Sequence, residues 1–197
     1  MCKPLGGYIC TKCCAENRGV SINCPPECPY FKRHESYQEQ KMVNRNREKL
    51  IARYLKYIDK GKRKSAELMS LIESDIYNYY KNRISATDEE IINGLEFLRR
   101  KESPLVTIEI VEPSFGEYLH KNVEKFLKEK KFPSSEIIEV IEEIIKFIEP
   151  FIKFEKNSRA YLHFLRGYMK EREETEKDKG EEKKIIDTSS RLIIPAS

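Results

Sequence analysis

The chain has no tryptophan, only two glutamines (Gln38 and Gln40), and no cysteine after Cys28. No apolar run approaches the ~18 residues needed to cross a bilayer. The opening MCKPLGGYIC lacks the charged-then-apolar pattern of a secretory leader. These two absences make the cytoplasm the expected location and leave no membrane partner. The shortage of glutamine, beside abundant Lys, Glu and Ile, fits a protein of a thermophile, where charge networks are favoured and labile amides avoided. Gly-x-Gly-x-x-Gly, the Walker loop and Gly-x-Ser-x-Gly are also missing. With them goes the sequence evidence for nucleotide chemistry or a serine nucleophile, and no small-molecule substrate is identifiable. No repeat of about 20–50 residues marks a solenoid.

What is present is charge. Charged residues make up 36% of the 197, and hydrophobic ones 39%, a globular balance with enough chain for one core plus a small module. The net charge of +4 conceals an asymmetry: residues 1–64 carry 15 Lys+Arg against 6 Asp+Glu, the remainder 22 against 27. A basic N-terminal third points weakly to an anionic partner.

All six cysteines, Cys2, Cys10, Cys13, Cys14, Cys24 and Cys28, fall in the first 28 residues. Two short cysteine pairs separated by a loop are how small modules supply four soft ligands to a tetrahedral zinc ion. The second pair is Cys24/Cys28; the first is Cys10 with Cys13 or Cys14. Adjacent thiolates rarely share one ion, so one of Cys13 and Cys14 is the ligand. Cys2 is a spare, or the fourth ligand if Cys10 is not one. A disulfide framework and an iron–sulfur cluster are the competing readings. A zinc ion here substitutes for a hydrophobic core that so short a segment cannot build.

The rest reads as helix. Apolar spacing predicts helices over about 34–59, 63–83, 87–101, 115–131 and 135–149, and a last one from Asn157 or Ser158 to about 172. Thr87 and Glu90 form a capping box. Pro150 is expected to end or kink the fifth of these. Residues 105–112, β-branched and partly alternating, read as one strand whose partner is 191–195 or a second copy. Residues 170–184, with six basic and seven acidic side chains, read as a helix end passing into a charged tether. The expected architecture is therefore mainly α: a zinc-binding head (1–31), a helical bundle (32–172) with one short strand segment, and a tether and tail (173–197).

Some segments resemble a known family. Cys24-Pro-Pro-Glu-Cys28-Pro-Tyr-Phe resembles a Cys-Pro-x-x-Cys-x-Tyr segment of a family of uncharacterised bacterial proteins. Thr87-Asp-Glu-Glu with Leu95 and Leu98, and Ser158-Arg-Ala-Tyr-Leu-His-Phe-Leu165-Arg166, are similar to its later segments. The resemblance implies one unit along most of the chain, and Cys14, nine residues before the second pair, as the first-pair ligand. It implies no activity.

Other constellations are weaker. Glu117 and His120 have the Glu-x-x-His spacing of di-iron bundles, but only once. Glu136, Glu139 and Glu143 share a face better read as solvated. His34 is a spare candidate ligand, and His163 has no carboxylate or cysteine near it in sequence. Basic residues Arg33, Lys41, Arg45, Arg47 and Arg53 interleave with Tyr30, Phe31, Tyr37, Tyr54 and Tyr57, the pattern of phosphate contacts beside stacking rings. The expected function is a non-catalytic binding or scaffold protein with a structural zinc site, its partner another protein or a second copy. The alternatives are nucleic-acid binding through the basic first helix and, last, a metal-dependent enzyme.

Overall fold

The computed structural model describes residues 1–19, 21–83, 85–103, 114–155 and 158–189, with side chains through 175. Seven helices follow in order: α1 (Thr11–Asn17), α2 (Pro29–Asp59), α3 (Arg63–Tyr80), α4 (Asp88–Glu102), α5 (Ser114–Lys130), α6 (Ser134–Phe154) and α7 (Ala160–Ser189). The fold is all-α, and no strand occurs among the described residues. The strand expected over 105–112 and its candidate partner 191–195 lie outside them. No described helix is long and apolar enough to cross a membrane.

Each helix boundary has a local cause. Pro29 opens α2 where its missing N–H removes no bond, and Cys28 stands as N-cap. Gly61, at φ +72°, turns the chain between α2 and α3. Thr87 accepts a hydrogen bond from the Glu90 amide at 3.4 Å and starts α4, while Arg99, Arg100 and Lys101 close it against the helix dipole.

Two helices run further than the sequence suggests. α6 passes through Pro150 to Phe154. The proline lies within the last turn and a half, and Ile148 and Phe151 are buried on either side of it. α7 continues past 172 to Ser189, through the segment read as a tether.

One main core unites the bundle. Leu50 of α2, Ile72 and Ile76 of α3, Leu95 of α4, Ile141, Ile144 and Ile148 of α6, and Phe164 of α7 are all fully buried in it. α2 and α7 share the most extensive interface, while α4 packs on α5 and α6. Gly167 allows the α2–α7 approach: a Cβ there would stand 2.7 Å from Val43 Cγ2 and 3.1 Å from the Glu39 carbonyl oxygen. A separate small cluster, Ile22, Cys24 and Phe31, belongs to the head.

Candidate functional site

The head is built from tight turns rather than a core. A 3₁₀ turn over Lys3–Leu5 brings Cys2 back to Gly7, with Cys2 N–H donating to Gly7 O at 2.7 Å. Cys10 is the N-cap of α1, its Sγ accepting the Cys13 amide at 3.1 Å. Arg18 ties α1 to the start of α2: Nε donates to Cys14 O and an η nitrogen to Tyr30 O, at 3.1 and 3.0 Å. Gly19, at φ +70°, is obligatory, since a Cβ there would lie 2.6 Å from Phe31 Cε2. Phe31, buried, is the pivot on which head and body meet.

The cysteines divide four and two. Cys2, Cys14, Cys24 and Cys28 line one cavity of about 310 Å³ together with Ile9 and Ile22. Cys10 and Cys13 lie exposed on the far side of the turn, against each other. Their mutual hydrogen bond pulls the Cys10 thiol down and pushes the Cys13 thiol up. The donor chemistry of the four suits zinc or iron. Among the described residues, however, no three His, Cys, Asp or Glu side chains converge closely enough to hold an ion.

The basic helix differs from the sequence reading. Arg53 is withdrawn as a phosphate contact: it is buried, paired with Glu73 and seated 4.3 Å from the Phe147 ring centroid. Burial pulls its pKa down, and the Glu73 charge more than offsets this, so the guanidinium stays charged. The reason is periodicity: Arg53 follows Leu50 by three residues and shares its inward face. Arg45 pairs with Glu155 at 2.9 Å and Arg47 pairs with Glu171, so both are engaged by other helices. Arg33 is exposed and Lys41 half-buried, beside the exposed rings of Tyr30 and Tyr37. Phe31 and Tyr57 are buried, and Tyr54 donates to Glu73 at 2.6 Å, which removes those three as stacking platforms.

The remaining candidates resolve into ordinary roles. Glu139 and Glu143 of α6 pair with Lys62, the N-cap of α3, and Lys56 of α2. Glu117 is exposed and His120 half-buried. His34 contacts Gln38 Nε2 at 3.4 Å and Glu35 at 3.7 Å, not a cysteine.

Two carboxylates escape sequence reasoning. Glu35 Oε2 sits among Arg159, just before α7, and His163 and Arg166 of α7, at 3.4, 3.2 and 3.7 Å. Burial pushes Glu35 up, but the His163 hydrogen bond and the charges of Arg159 and Arg166 outweigh it and hold the carboxyl at about 2. Asp88, fully buried, accepts the Tyr161 and Leu162 amides at 2.8 and 3.0 Å and so caps α7 from α4. Burial pushes its carboxyl up to about 7 against the downward pull of those amides. The only sequence signal for Glu35 was its place on the inward side of α2; its partners come from the other end of the chain.

No family model matches the chain, and no curated protein or solved structure matches it either.

Proposed function

We propose a non-catalytic binding or scaffold protein whose N-terminal head is held together by one structural zinc ion. The observation that carries the reading is the gathering of Cys2, Cys14, Cys24 and Cys28 on the wall of one cavity. Among its described residues, the head around them buries only Ile22, Cys24 and Phe31. Three side chains are too little apolar area to offset the entropy of ordering about 28 residues, so a cross-link of some kind is needed. Zinc supplies it without an oxidising compartment. The ligand set favoured is Cys14, Cys24 and Cys28 with Cys2 as the fourth, leaving Cys10 and Cys13 outside it.

Metal analysis with thiol titration on native protein tests this. The expected result is one zinc per chain, lost in Cys24→Ser and kept in Cys13→Ser. Intact disulfides without metal, or iron in place of zinc, would overturn it.

A second reading, nucleic-acid binding, rests on the line Tyr30, Arg33, Tyr37 and Lys41 along the first turns of α2, where both rings are more than half exposed. Salt-dependent retention on RNA, lost in Arg33→Glu with Lys41→Glu, is its signature. Absence of retention at low salt removes it.

A further inference from the structure

A second cavity, of about 430 Å³, opens where the C-terminal end of α3 meets α2 and α7. Its volume is in the range of small-molecule sites, about 300–1,000 Å³. Four cations line it: Lys32, Lys81, Arg166 and Lys170. Two carboxylates, Glu35 and Glu39, line it too.

Both carboxylates are already engaged. Lys170 Nζ donates to Glu39 Oε2 at 2.6 Å. Glu35 is held by Arg166, Arg159 and His163, and stays ionised at neutral pH. Lys32 and Lys81 have no acidic partner among the described residues; Lys81 donates to Asn78 Oδ1 at 3.2 Å and lies 5.7 Å from the Tyr77 ring centroid. The wall therefore carries two positive charges more than negative ones.

Arg166 fixes one of those charges in place. It is 7% exposed, and one η nitrogen donates to the carbonyls of Tyr80 and Arg83 at 2.5 and 3.0 Å, closing the end of α3. Its Nε has no hydrogen-bond partner. Burial and the neighbouring Arg159 both press against its charge, a stress that an anion would relieve. Positive charge on a concave wall concentrates its field in the cavity, which is open to solvent on the side of the exposed Lys32 and Lys81. Ser36 and Asn82 add neutral polar groups, and Phe31 and Tyr77 an apolar side.

We infer that this cavity binds a small, multiply charged oxyanion ligand, its charge held between Lys32 and Lys81 with the Arg166 charge behind them. The head contributes Pro26 and Phe31 to this cavity, but every charged residue that lines it belongs to the helical body, so the inference does not rest on the zinc reading.

The test is calorimetric titration of the full chain at constant ionic strength with glycerol 3-phosphate and, in parallel, glutarate. Saturable binding is expected for at least one. Lys32→Glu and Lys81→Glu should each weaken it about tenfold. A control variant, Lys60→Glu with Lys64→Glu, makes twice the net charge change of either cavity variant on exposed positions and should leave affinity unchanged. Preference for glycerol 3-phosphate identifies a phosphorylated ligand, and preference for glutarate a polycarboxylate; either supports the site. The inference is overturned if neither binds saturably, if only a polyanion such as heparin binds, or if the control variant weakens binding as much as the cavity variants. Circular dichroism of each variant confirms that folding is intact.

Discussion

Asp88 offers the sharpest test of the tertiary architecture, because one carboxylate on α4 caps the first turn of α7. Fully buried, it accepts two backbone amides, and burial lifts its pKa to about 7 from an unfolded value of 3.8. The folded state then binds more protons than the unfolded one between these values. Stability from this group is fully present below pH 3.8 and is lost as pH rises through 7. At about 1.4 kcal/mol per pKa unit, its contribution falls by about 2–3 kcal/mol between pH 5 and pH 8. Asp88→Asn removes the titration and keeps one acceptor oxygen. Guanidinium unfolding of both proteins at pH 5 and pH 8 isolates the group, because all other titrations cancel in the difference. The wild type should lose about 2–3 kcal/mol relative to Asp88→Asn across that interval. A difference independent of pH, or one growing in favour of the wild type, would refute the claim that burial outweighs the amides. Asp88→Ala strands two buried donors and should cost about 3–5 kcal/mol at either pH.

Other expectations follow from single contacts. Glu35, held at about 2 against an ordinary 4.5, contributes stability above pH 4.5 that is lost as pH falls toward 2. Glu35→Gln should flatten the acid limb of the unfolding curve by about 1–2 kcal/mol, the full shift being discounted for partial exposure. Glu73→Gln leaves the buried Arg53 charge uncompensated and should cost about 3–5 kcal/mol; Arg53→Met with Glu73→Leu should cost far less than the two singles together in a urea double-mutant cycle. Gly167→Ala should cost about 1–3 kcal/mol by pushing α7 from the Glu39 backbone, and a gain in stability would show the two helices to be less closely seated. Under the proposed zinc reading, chelation should speed proteolysis before residue 31 while leaving the helical signal of the body nearly unchanged, read by limited digestion and circular dichroism.

Helix existence was legible because it depends on local periodicity. The Ile-rich pattern of 137–148 and the Thr87 capping box each carry their own signal within a few residues. Helix ends were less so. Pro150 reads as a stop, but burial of Phe151 and Ile148 outweighs one lost hydrogen bond near the end of a helix. Asn157 or Ser158 reads as the cap of α7; Asn157 lies outside the described residues, and Asp88 takes the amides of Tyr161 and Leu162.

The division between sequence and structure is clearest at the charges. By itself the sequence determined a mainly helical chain with a cysteine-rich head and a basic first helix, since composition and spacing are local properties. Only the tertiary structure decided which charges are available. It buried Arg53 on Glu73, engaged Arg45 and Arg47 with Glu155 and Glu171, and left Lys32 and Lys81 without acidic partners among the described residues on a concave wall. It also divided the six cysteines, drawing Cys2 into the cavity of Cys14, Cys24 and Cys28 and leaving Cys10 and Cys13 to each other. The physical reason is the same in both cases. A charge or a thiol is defined by what folding brings against it, and those neighbours come from distant parts of the chain.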